Sequence, residues 1–77
     1  MTVQILSFGQ LKELVSDGTL ELEGATDTDG FNQRLQARFP ALKGMKYAVA
    51  VNQKMVTQNT SLPAGATVAL LPPFSGG

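Results

Sequence analysis

Thr26-Asp27-Thr28-Asp29-Gly30-Phe31-Asn32-Gln33-Arg34-Leu35-Gln36-Ala37-Arg38-Phe39-Pro40 is the stretch that decides the fold. Its first four residues bring capping oxygens and negative charge to a helix N-terminus, where unpaired N–H groups and the positive dipole end favour both. Phe31, Leu35 and Phe39 then recur at i, i+4 and i+8, one apolar stripe at helical period. Gln33 and Gln36 fall outside that stripe and Arg38 at its edge. Pro40 lacks the N–H to continue and stops the helix. The three apolar residues read as core, and truncating Phe39 to Ala is expected to cost ~3–5 kcal/mol.

On the N-terminal side the period is different. Thr2 to Phe8 is rich in β-branched and aromatic residues and reads as a strand ended by Gly9. Gln10 to Val15 is a short helical stretch with Leu11, Leu14 and Val15 on one side. Asp17-Gly18 is a turn dipeptide, and Thr19 to Glu23 is a second strand before the loop residue Gly24. So short a connection predicts an antiparallel pair.

On the C-terminal side, Lys46 to Val51 is nearly continuous in apolar residues, which predicts a central strand. Asn52-Gln53-Lys54 turns the chain into a brief return strand, Met55-Val56. Gln58 to Gly65 is a polar connection in which Leu62 is expected to pin the loop to the body. Ala66 to Leu71 is the last strand. The order β-β-α-β-β-β, with one main helix across a mixed sheet, is an α+β arrangement of β-grasp (ubiquitin-like) type. A ferredoxin-like split fits less well, since it needs a second full helix. Val3, Ile5, Leu35, Phe39, Val49, Val51, Val56, Val68 and Leu70 are the expected core.

With 77 residues the chain is read as one small domain, residues 1–77. Six basic and six acidic residues cancel, which argues against nucleic acid or a membrane surface as partner. No signal peptide or membrane-span-length apolar run is present, and cysteine is absent, so a cytoplasmic location is expected. Without His or Cys there is no His-based metal site, Ser-His-Asp constellation or thiol nucleophile. A carrier or binding module is favoured over an enzyme, and no tightly bound cofactor is expected.

The last strand runs into Pro72-Pro73-Phe74-Ser75-Gly76-Gly77. Two prolines stop the ladder, and an extended tail from Pro72 reaches roughly 20 Å. Gly76 and Gly77 carry no Cβ, so bare backbone can thread a narrow channel, with Phe74 and Ser75 behind it. The group delivered there is the α-carboxylate of Gly77.

Phe8-Gly9-Gln10-Leu11-Lys12-Glu13-Leu14-Val15, Val49-Ala50-Val51-Asn52-Gln53, Val56, Leu62-Pro63-Ala64-Gly65-Ala66-Thr67-Val68 and Leu71-Pro72-Pro73-Phe74-Ser75-Gly76-Gly77 together resemble the small subunits of molybdopterin synthase, a family of ubiquitin-like sulfur carriers. The Pro-Pro-Phe-Ser-Gly-Gly ending is the most specific part. One departure is Ala66-Thr67, where the family usually carries an acidic pair. The resemblance implies that Gly77 is adenylated by a separate ATP-using activating enzyme and converted to a thiocarboxylate. It implies sulfur donation to precursor Z inside the large synthase subunit, in a heterotetramer. A carrier for thiamine or another sulfur pathway, or a protein modifier joined to lysine, are the alternatives.

Strand parity marks a docking surface. Gln4, Leu6 and Phe8 share one face of the first strand, and Thr67, Ala69 and Leu71 one face of the last, opposite the core residues. Met55 points away from Val56. Phe8, Met55 and Leu71 are therefore expected together on the sheet face the helix leaves open. The matching family positions contact partners, which implies that activating enzyme and large subunit bind there one at a time.

Overall fold

The computed structural model describes residues 2–72. In chain order these form β1 (Thr2–Ser7), α1 (Leu11–Leu14), β2 (Gly18–Glu21), α2 (Thr28–Arg38), a 3-10 helix (Pro40–Gly44), β3 (Ala48–Val51), β4 (Lys54–Val56) and β5 (Thr67–Leu71). The strands make one mixed sheet in the order β2-β1-β5-β3-β4. β1 and β2 pair antiparallel, as the short connection between them requires. β1 and β5 run parallel, and β3 is antiparallel to both β5 and β4. This is the β-grasp arrangement.

α2 begins where its capping residues put it. The Asp27 carboxylate accepts the Gly30 N–H at 2.8 Å, satisfying a donor that has no partner inside the helix. Phe31 and Leu35 are fully buried against the sheet. Phe39 is half-buried, packed at the margin of the core rather than in it. It caps the helix at φ −125°, ψ 80°, because the residue before a proline is pushed out of the α region. Pro40 does not end helical structure. It occupies the first turn of the 3-10 helix, where a missing N–H costs nothing, and this turn buries Leu42.

The core unites Val3 and Ile5 of β1, Val49 and Val51 of β3, and Val68 and Leu70 of β5 with Leu11, Val15, Phe31, Leu35 and Leu42. Val56 only packs partly against it, since β4 is an edge strand. β5, not β3, is the central strand. The apolar run of β3 reflects an interior position between β5 and β4, and composition alone does not separate one interior strand from another.

The polar connection before β5 is fastened to the start of α2. Thr28 N–H donates to the Thr60 carbonyl at 2.8 Å, and Thr60 N–H returns to Thr28 Oγ1 at 2.9 Å. Asn59 Oδ1 accepts the Asp29 N–H at 2.9 Å. Leu62 N–H reaches the Thr26 carbonyl at 3.0 Å while its side chain is buried, the pin expected of it.

Candidate docking face and C-terminal exit

All the large apolar residues of the core lie on the helix side of the sheet, so the opposite face is left to itself. Register places Leu6 beside Ala69, Ala69 beside Ala50, and Ala50 beside Met55, one row across four strands. Neighbours in register point to the same face. A second row sets Phe8 next to Leu71 and Leu71 beside Ala48. Three large side chains on this face are open to solvent: Leu6 at 40 %, Phe8 at 44 % and Met55 at 53 %.

Leu6, Phe8, Ala69 and Leu71 line a depression of about 490 Å³, closed by Thr67, Asn52 and Gln53. None of the lining residues is charged. The polar rim is held by Asn52, whose side chain accepts the Thr67 N–H at 3.0 Å. The two-residue turn Asn52-Gln53 takes φ +49° and +71°, which folds β4 tightly back beside β3.

Of the residues singled out from sequence, Phe8 and Leu71 meet in this depression. Met55 shares the face but stands two strands from Ala69 and does not line it. Leu6 and Ala69 belong to the site and were not named for it, although their parity with Phe8 and Leu71 already carried the signal. Phe8 itself lies one residue past the end of β1, held by its N–H to the Leu70 carbonyl at 3.1 Å. Gly77, Gly76, Ser75 and Phe74 lie outside the described residues. Pro72 is the last residue described, half-buried at the Phe8–Leu71 end of the face.

The ThiS family matches residues 5–77, nearly the whole chain. The chain belongs to the ThiS family. The molybdopterin synthase sulfur carrier subunit of Escherichia coli K12 is 32 % identical to it over 80 residues, covering 97 % of this chain and 99 % of that protein. The fold of this ThiS-family chain is that of a molybdopterin converting factor subunit 1 from Pyrococcus furiosus, with a TM-score of 0.79, 24 % identity and coverage of 95 % and 98 % of the two chains. It also superposes on a chain of the complex between subunits 1 and 2 of molybdopterin-converting factor from Helicobacter pylori, with a TM-score of 0.72, 28 % identity and full coverage of both.

A second depression in this ThiS-family domain, about 220 Å³ between α2 and β3–β4, is polar, and several of its groups are bonded to one another or to α2. Tyr47 donates to Asn32 at 3.1 Å and accepts from Gln36 at 3.1 Å, while Asn59 is bonded to Asp27 and Asp29. Those groups hold helix to sheet. Among the described residues no acidic cluster suited to a metal ion occurs, and no helix is long and apolar enough to cross a membrane.

Proposed function

We propose that this chain is the sulfur carrier subunit of a molybdopterin synthase and that Gly77 is its reactive end. The observation that carries the reading is the likeness to the E. coli sulfur carrier subunit over 97 % of this chain and 99 % of that protein. An α-carboxyl with pKa ~3.3–3.7 is an anion at neutral pH and a poor electrophile. Activation therefore precedes transfer. A carboxylate oxygen of Gly77 attacks the α-phosphorus of ATP on an activating enzyme, and pyrophosphate leaves. A donor of sulfide-level sulfur then attacks the acyl carbon, AMP departs, and the terminus becomes a thiocarboxylate. In the large subunit its sulfur forms a carbon–sulfur bond to precursor Z as a carbon–oxygen bond of precursor Z breaks and the oxygen leaves. The acyl carbon–sulfur bond breaks with water supplying the oxygen, and Gly77 returns as a carboxylate.

The chain's own part in this is to dock and to present. An uncharged apolar face beside the root of the tail suits a partner that buries it, and the two partners would share it in turn. Acid–base chemistry falls to the large subunit, and no tightly bound cofactor is needed here.

Intact mass spectrometry of the protein recovered from cells dependent on a molybdoenzyme tests the reading. Replacement of one terminal oxygen by sulfur is expected. Lysine conjugates in place of that species would establish a modifier instead. Deleting Gly77, or adding a residue after it, is expected to abolish molybdopterin formation with the fold intact. Normal production by either variant would overturn the assignment.

A further inference from the structure

Pro72 is not free tail. It packs on Gly9, and a Cβ built at Gly9 would lie 3.1 Å from Pro72 Cγ and 3.7 Å from Cβ and Cδ. A contact at 3.1 Å is tighter than nine in ten real Cβ contacts, so a side chain at position 9 would push the ring aside by a few tenths of an ångström. Gly9 also holds φ +60°, a conformation that side chains resist. That turn is anchored on both sides, by Phe8 N–H to Leu70 O at 3.1 Å and by Lys12 N–H to Gly9 O at 3.2 Å. Pro72 also lines, with Gln10, Leu11, Met45 and Lys46, a small hollow of about 200 Å³.

The backbone beyond the Gly9–Pro72 contact has little freedom. The ring fixes the φ of Pro72, and because Pro73 follows, Pro72 is driven to extended ψ. A seated ring with both torsions restricted sets the direction in which the chain departs.

We propose that Gly9 and Pro72 form a positioning seat that aims the C-terminal tail, making Gly9 a positioning residue for transfer from Gly77. The inference rests on the sulfur-carrier reading and adds to it. Docking sets where the domain sits, whereas the seat sets where the terminus points. Misdirecting a reacting group by about 1 Å costs on the order of 100-fold in rate, so a loosened root should be felt in the chemical step.

The test compares Pro72→Gly, which frees the root, with Gly9→Ala, which displaces it. Each is prepared as the preformed thiocarboxylate, and its consumption is followed with large subunit and precursor Z. The expected result is a kcat lowered on the order of tenfold or more at unchanged KM, with the affinity for the large subunit retained in a calorimetric titration. Gly9→Ala strains a positive-φ site, so its thermal midpoint is measured as well, and if that variant unfolds Pro72→Gly alone decides the outcome. A wild-type kcat for Pro72→Gly overturns the seat. A raised KM at unchanged kcat also overturns it, since the contact would then serve docking. If the wild-type thiocarboxylate itself transfers no sulfur, it is the carrier reading that fails.

Discussion

At the scale of single residues, two sites, the Asn52-Gln53 turn and Asp27, bear more of the local geometry than their size suggests. Asn52 and Gln53 both sit at positive φ in the hairpin that turns β3 into β4. Asparagine tolerates this conformation, whereas for glutamine it costs about 1–2 kcal/mol. Gln53→Gly relieves this strain by more than the added freedom of the unfolded chain costs, and is expected to raise unfolding stability by about 0.5–1 kcal/mol in urea titrations; an unchanged or lower midpoint would refute it. Asp27 is the second. Its carboxyl is held below the usual aspartate range by the Gly30 N–H first, then by the Asn59 amide and the Arg34 charge. A depressed folded pKa stabilises the fold above the unfolded value of ~3.9, and that contribution is lost as pH falls through the folded value. Asp17 shows the same direction, from the Ser7 N–H and Lys12. The thermal midpoint is therefore expected to drop on acidification below about pH 4. Asp27→Ala should have a lower midpoint at neutral pH and a shallower decline in acid; parallel curves for the two proteins would exclude this role.

At the scale of elements, the helix and its continuation divide the work of covering the sheet. Phe31 and Leu35 on α2, and Leu42 on the 3-10 helix, are completely buried. Phe39, at the junction between the two helices, is not. Loss of a fully buried phenylalanine costs about 3–5 kcal/mol, a large part of the stability of so small a domain. Phe31→Ala is expected to fall in that range by chemical denaturation, and Phe39→Ala well below it. Equal losses would mean that Phe39 is packed as deeply as Phe31. The helix stripe was legible in the sequence because its period is local. Its last member was demoted by Pro40, which bends the chain at Phe39 before the ring can enter the core. The 3-10 turn was not legible, since a proline reads equally as a stop and as a first-turn residue.

At the scale of the whole molecule, one layer of helix over five strands leaves half the sheet surface uncovered, and that surface is apolar where it adjoins Pro72. Scattered exposed apolar residues need no explanation, but Leu6, Phe8 and Leu71 gather around a single depression. Phe8→Asp, Leu6→Asp or Leu71→Glu is expected to weaken complexes with both the large subunit and the activating enzyme. The free domain should keep its thermal midpoint, because Leu6 and Phe8 already face water and Leu71 is only half-buried. Unaltered binding of both partners in pull-downs and titrations would reduce the face to ordinary surface. Met55→Asp is expected to have the smaller effect, being set apart from the depression.

The sequence by itself determined what depends on neighbours along the chain. The single helical stripe, the strands on either side, and the parity that sorts Leu6, Phe8, Ala69 and Leu71 onto one face all follow from local period and residue chemistry. Tertiary structure alone decided what depends on residues far apart in sequence. It put β5 at the centre, because parallel pairing with β1 is a long-range choice that no local pattern encodes. It separated Met55 from the depression, because Ala50 of β3 intervenes between Met55 and Ala69. It seated Pro72 on Gly9, because residues so far apart along the chain meet only when the first and last strands lie side by side. Side-chain direction is a local property of a strand; strand order is settled by which pairing buries the most apolar surface, and that sum runs over the whole chain.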